Sequence, residues 1–329
     1  MRRKRRARWP LRVLAGLGAV VVLLWVIGPY EPVETEVAFD RRVLAEGVDP
    51  YLRAQEARFD DIRPGNEKRV IWYGLEEVPT DLAIVYLHGF SASSGEIRPV
   101  PDDVARALGA NLVFTRFRGH GRDGEAMAEA TAGDWIEDAA EALAIGRKVG
   151  REVVVIATST GGTVAAIAAH DRELMRDVKG IAFISPNFGI NNALAPLLTM
   201  PGARYWVPLV GGRTRSFEPQ NEGHAREWTT SYPMEAVMPL AALVKHAAGL
   251  DYGAVSVPAL FYYSDADAVL DTSATDEVRA DWGGPVRHAA PELGPGVDPA
   301  AHVIAGAILS PGNTEAAVTL ILDWIGGLP

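Results

Sequence analysis

The sequence predicts an α/β fold: a mostly parallel central sheet with helices on both faces. Three observations carry that expectation. Short β-branched runs alternate along the chain with longer helix-forming segments, the pattern of strands joined by crossover helices. One unit is unusually legible: Val153-Val154-Val155-Ile156-Ala157-Thr158 followed by Ser159-Thr160-Gly161-Gly162 and an alanine-rich stretch reads as buried strand, tight turn, helix. The alternation then lapses for about fifty residues after Pro186, as expected of an insertion into one domain, and after an apolar helical stretch near Met234 to Leu243 the sheet resumes at Val257. With 329 residues, 48% of them hydrophobic, the chain can bury a large core.

The N-terminus has its own character. Seven positive charges fall in the first twelve residues, Arg2 to Arg12, although the whole chain carries a formal net charge of −10. Without them, 25 basic residues face 42 acidic ones, which makes the body of the protein a poor nucleic-acid binder. Val13 to Ile27 carries no charge, and counting from Trp9 with Arg12 snorkelling toward headgroups gives nineteen residues, enough for a short transmembrane helix. Residues 1–28 are therefore expected to be a basic cluster and membrane anchor, with a cleaved signal peptide as the alternative. The positive-inside rule keeps the basic cluster in the cytoplasm and places the rest on the extracytoplasmic side, the periplasm in a bacterium. Cysteine is absent, which excludes disulfides, thiolate metal sites and a cysteine nucleophile.

Residues 29–66 hold four prolines and read as a tether and N-terminal extension, with an amphipathic helix from Val43 to Phe59 interrupted near Asp49-Pro50. The main domain is expected over 67–329. Arg69 to Tyr73 alternates like an opening strand, and Leu82 to Leu87 is an apolar run ending at His88-Gly89-Phe90. Ser93-x-x-Glu96 has the spacing of a capping box, expected to open a helix that runs to Leu108, with Glu96 and Arg98 as cap and surface charges. Asn111 to Phe114 is a strand, Gly119-His120-Gly121 a tight turn, and Thr131-x-x-Asp134 the cap of a helix leading to the Val153 strand.

Val178 to Ser185 is the next strand. The insertion, about 187–236, is rich in proline and aromatic residues, with His224 among charges expected to keep it at the surface. Val257 to Tyr263 resumes the sheet and is followed by Ser264-Asp265-Ala266-Asp267-Ala268-Val269-Leu270. Pro285 to Ala289 makes a last strand, Asp298 to Val303 a loop holding His302, and Asn313 to Ile325 a terminal helix.

Ala157-x-Ser159-x-Gly161 resembles the G-x-S-x-G nucleophile elbow, where small residues two positions away let strand and helix close around a strained serine. With His88-Gly89-Phe90, the Gly-His-Gly turn, the Asp267 loop and the late His302 in the same order, residues 68–326 resemble the α/β-hydrolase fold. The nearest branch is that of monoacylglycerol lipases and lysophospholipases, similar to the serine aminopeptidases S33. The resemblance implies Ser159 as nucleophile, His302 as base and Asp267 as the acid that orients it. It further implies an oxyanion hole of the Phe90 and Thr160 amides, a cap at 187–236, and neither metal nor organic cofactor. Asp267 fits the family pattern better than Asp265, too early in the turn, or Asp271, expected to open the next helix. The expected function is hydrolysis of carboxylic esters of small or lipid-like molecules. A proline-iminopeptidase type of activity would need carboxylates in the cap, for which Glu218, Glu222 and Glu227 are available, and a non-catalytic binding protein on this fold is the third reading.

Overall fold

The computed structural model describes residues 8–329. A helix α1 (Arg8–Ile27) comes first. The basic residues Arg2 to Arg6 lie outside the described residues. Among the described residues no helix is long and apolar enough to cross a membrane.

The extension contributes a short 3₁₀ turn (Arg41–Leu44) and α2 (Val48–Glu56). The break predicted at Asp49-Pro50 falls earlier, at Glu46-Gly47, because Pro50 sits in the first turn of α2, where its missing N–H costs no helical bond. Seven strands form the main sheet: β1 (Arg69–Ile71), β2 (Thr80–Leu87), β3 (Asn111–Phe114), β4 (Gly150–Thr158), β5 (Val178–Ile184), β8 (Ala259–Tyr262) and β9 (Val286–Ala289), in the order β1-β3-β2-β4-β5-β8-β9. Only β1, at the edge, runs antiparallel. The remaining pair, β6 (Thr214–Ser216) and β7 (Ser231–Pro233), forms a separate antiparallel ribbon in the insertion.

The helices are α3 (Val100–Leu108), α4 (Ala132–Val149), α5 (Thr160–Ala168), α6 (Ala203–Gly211), α7 (Glu222–Glu227), α8 (Val237–Ala247), α9 (Thr272–Asp281) and α10 (Thr314–Gly326). The central strands are apolar on both sides because both faces are covered. On β2 and β4, Val85, Leu87, Val153 and Val155 pack with α4, α5 and α8, whereas Ile84, Tyr86, Val154 and Ile156 face α3 and α10. Thr131 closes the expected capping box, its hydroxyl accepting from the Asp134 amide at 3.1 Å. The box expected at Ser93 to Glu96 does not form. That segment is a series of turns, and the helix begins only at Val100, led by Pro101.

This sheet and helix arrangement is the α/β-hydrolase fold. All the loops that matter next leave the carboxyl ends of β2, β4, β5, β8 and β9.

Candidate active site

A single residue, Ser159, separates β4 from α5. Ser159 holds φ 51° and ψ −117°, a conformation that costs a non-glycine residue of order 1–3 kcal/mol, between β4 and the first residue of α5. Its amide donates to the Ile184 carbonyl at 3.0 Å and its carbonyl accepts from the Asn187 amide at 3.1 Å, so the neighbouring strand end fixes the strain in place. The requirement for small neighbours has a visible cause: a Cβ on Gly161 would lie 2.2 Å from the Leu87 carbonyl oxygen.

His302 comes from the loop between β9 and α10. Its Nε2 is 3.1 Å from Ser159 Oγ and its Nδ1 is 2.8 Å from Asp267 Oδ2. A carboxylate can only accept, so Nδ1 carries the proton and Nε2 is left to accept from the serine hydroxyl. Asp267 Oδ1 accepts from the Val269 and Leu270 amides at 2.8 and 3.0 Å, which leaves Oδ2 for the histidine. Burial by itself would lower the His302 pKa. The hydrogen bond and charge of Asp267, helped by Glu96 and Asp298, outweigh burial and raise it above the ordinary 6.5.

The neighbouring aspartates stand elsewhere. Asp265 is exposed, and Asp271 is the N-cap of α9, accepting from the Ser273 amide at 3.1 Å. Phe90 and Thr160 line the same cavity as Ser159 and His302. Neither amide donates to a group of the protein among the described residues. Gly89 brings this loop against the elbow so closely that a Cβ there would meet Ser159 Cβ at 3.2 Å. His88 is a buried structural residue, with Nδ1 2.8 Å from the Gly89 carbonyl and Nε2 accepting from the Phe117 amide, and burial holds its pKa well below the ordinary value.

Three residues play parts that the sequence did not suggest. Glu96, expected at the surface, is buried, and its Oε2 accepts from the Gly89 amide at 2.7 Å and from the Tyr86 hydroxyl at 2.9 Å. Burial pushes its carboxyl up to about 7, against the opposing pull of those two bonds and of His302. His224, expected to be solvated, is buried between Phe217 and Trp228 and accepts from the Gln220 amide, and burial lowers its pKa. Asp298 organises the histidine loop: its Oδ2 accepts from the His302 and Val303 amides at 3.3 and 3.1 Å. Its position four residues before His302, ahead of Pro299, was the available signal, that of a carboxylate closing a turn on later amides.

The cavity over Ser159 measures about 620 Å³. Its floor is the Ser159 and His302 pair. Its walls are mainly apolar side chains of the insertion and α8, among them Leu198, Trp206, Val207, Phe217, Tyr232 and Leu240. Thr160 Oγ1 and Asn187 Oδ1 border it, buried and without a partner among the described residues. Glu218, Glu222 and Glu227 do not line it. No group of residues able to hold a metal ion occurs among the described residues.

No curated protein matches this sequence. Solved structures share the fold at low identity. A structure reported for LipS and LipT, metagenome-derived lipolytic enzymes, is 20% identical with a TM-score of 0.65, covering 80% of this chain and 99% of its own. A soluble variant of monoglyceride lipase from Saccharomyces cerevisiae, in complex with a substrate analogue, is 10% identical with a TM-score of 0.58, covering 79% and 90%. The monoacylglycerol lipase of Paleococcus ferrophilus is 13% identical with a TM-score of 0.56, covering 79% and 98%. Residues 79–288 match the family described as serine aminopeptidase, S33, which is well over half of the 329 residues. On that match and this fold, the chain belongs to the serine aminopeptidase S33 family of α/β-hydrolases.

Proposed function

We propose that the protein is a serine hydrolase of carboxylic esters with an uncharged, lipid-like acyl group. The observation that carries this reading is the Asp267–His302–Ser159 hydrogen-bonded chain at the floor of a mainly apolar cavity. In this reading Ser159 Oγ attacks the ester carbonyl carbon while His302 Nε2 takes its proton. Asp267 holds the imidazole in the tautomer required and stabilises its cationic form. The Phe90 and Thr160 amides receive the oxyanion, a contribution of about 3 kcal/mol per donor in comparable enzymes. His302 returns the proton to the departing alcohol, leaving an acyl-Ser159. It then activates water, whose attack releases the acid and regenerates the serine.

The cavity favours esters over peptides with a free amino terminus. Glu218, Glu222 and Glu227, the cap carboxylates available to bind an ammonium group, lie outside its lining. The lipolytic enzymes among the fold relatives lend the same support. The N-terminal helix belongs to this proposal as a membrane anchor, short enough to need snorkelling by Arg12, with the catalytic domain on the extracytoplasmic side. Its support is exposure: Val22, Leu23, Trp25, Val26 and Ile27 are each more than half exposed, an apolar surface that water disfavours.

A panel of p-nitrophenyl esters from acetyl to dodecanoyl, run beside aminoacyl p-nitroanilides, tests the reaction class. Ester turnover that depends on Ser159, with anilides at background, is the expected result. Faster turnover of the anilides would overturn the reading.

A further inference from the structure

Among the described residues four buried side-chain atoms have no hydrogen-bond partner: His120 Nε2, Thr160 Oγ1, Ser185 Oγ and Asn187 Oδ1. Of these four residues only Thr160 and Asn187 line the cavity. They are 2% and 4% exposed, and a buried polar atom left unpaired is costly enough that folded proteins seldom keep one without a use. Three other polar residues of the lining are engaged already. Glu96 Oε2 accepts from the Gly89 amide, Asp298 accepts from Gln220 Nε2 and from its own loop's amides, and His224 Nδ1 accepts from the Gln220 amide.

Both residues are held beside the nucleophile. Thr160 follows Ser159 directly and opens α5. The Asn187 amide donates to the Ser159 carbonyl at 3.1 Å and the Asn187 carbonyl accepts from Thr163 Oγ1 at 2.6 Å, which pins this backbone to the elbow. His302 comes from the other side. It is followed by Val303, Ile304 and Ala305, which pack with α3 and α10, whereas α5 and Phe188, next to Asn187, pack on the opposite face of the sheet. In the proposed reaction the leaving alcohol lies beside His302 Nε2, from which it takes its proton. The acyl substituent on the same carbon therefore projects away from His302, past Thr160 and Asn187.

We infer that the preferred acyl group carries a hydroxyl on its second or third carbon, counting the ester carbonyl as the first. The hydroxyl donates to Asn187 Oδ1, and Thr160 Oγ1, which can donate as well as accept, completes its surroundings. This rests on the ester hydrolysis of the proposed function and deepens it. The apolar walls take the rest of the chain, while these two side chains select what stands next to the carbonyl. A site built to hydrogen-bond a substrate hydroxyl discriminates against the analogue that lacks it, because its own polar groups are then left unpaired.

Four esters, ethyl octanoate, ethyl 2-hydroxyoctanoate, ethyl 3-hydroxyoctanoate and 2-hydroxyethyl octanoate, test this with the full chain by acid release at constant pH. Each kcat/KM is divided by the ester's rate with hydroxide, which removes its intrinsic reactivity. One of the two hydroxyacyl esters should then exceed ethyl octanoate by about tenfold or more. One enantiomer should carry most of that gain, since both side chains are fixed relative to the elbow. In Asn187→Leu the ratio of hydroxyacyl to plain ester should fall to about one, and in Thr160→Val it should drop, whatever the rates of these variants on ethyl octanoate. Should a variant fail to fold, the wild-type ratio and the enantiomer preference still decide. A ratio near one in the wild type, with ethyl octanoate hydrolysed, would overturn the hydroxyacyl preference and leave the ester reading standing, as would a ratio that survives Asn187→Leu. A gain confined to 2-hydroxyethyl octanoate would put the polar contact on the alcohol and overturn the assignment to the acyl group. Hydrolysis of none of the four would overturn both readings.

Discussion

Asp267 and Asp265 stand two positions apart, yet only Asp267 has its carboxylate buried and shared between two backbone amides and an imidazole. Asp267→Asn is therefore expected to cut turnover of a p-nitrophenyl ester by about 10⁴-fold with the fold retained, while Asp265→Asn changes it little. In the proposed reaction His302 must be neutral to accept the serine proton, so its raised pKa has a kinetic consequence. The acid limb of the pH profile of kcat/KM should lie above pH 6.5, activity falling as pH drops through it. Residual activity of Asp267→Asn should carry that limb to lower pH. Glu96 gives a separate prediction of opposite chemistry. Its folded-state pKa of about 7 lies above the ordinary 4.5, so its contribution to stability is present below pH 4.5 and lost as pH rises through 7. At pH 8 the charged carboxylate costs about 3 kcal/mol, and Glu96→Gln, which can still accept from Gly89 and Tyr86, should raise the melting temperature there and lose that advantage by pH 4. A lower melting temperature for Glu96→Gln at pH 8 would show that the charge is needed.

At the scale of elements, sequence patterns were informative where local physics decided the outcome. The β-branched runs became buried parallel strands, Thr131-x-x-Asp134 became a capping box, and small residues around Ser159 marked the strained turn. Thr131→Ala should cost about 1 kcal/mol in denaturant unfolding, the usual worth of such a cap. Gly161→Ala should cost at least about 3 kcal/mol, because the added methyl has backbone in its way and neither α5 nor β2 can move without repacking the core. Patterns misled where tertiary burial overrode them. Ser93-x-x-Glu96 has capping-box spacing, yet Glu96 is drawn inward by the Gly89 amide and the Tyr86 hydroxyl, partners that the local sequence does not reveal. His224 sits among charges in the sequence, but one side of its short helix faces Phe217 and Trp228. Pro50 suggested a break and instead starts a helix, since a proline reads the same in either place until the first turn is known.

For the whole molecule, the sheet brings together residues as far apart as Ser159 and His302, and the insertion roofs them with an apolar chamber. Narrowing that chamber with Leu198→Trp should reduce hydrolysis of dodecanoyl esters well before acetyl esters, because only the longer chain reaches the roof. Equal losses on both would mean that the insertion supports the fold without shaping specificity. A C-terminal reporter fused to the full chain should be active only on the extracytoplasmic side, and a cytoplasmic signal would reverse the proposed orientation. All of this depends on Ser159 being an activated nucleophile, which a fluorophosphonate probe reads directly, since an ordinary serine hydroxyl does not react with it. Wild-type protein should take up one equivalent, mapped by peptide mass spectrometry to Ser159, with Ser159→Ala unlabelled and His302→Ala labelled far more slowly. Folded wild-type protein that stays unlabelled, or an adduct that persists in Ser159→Ala, would contradict the account.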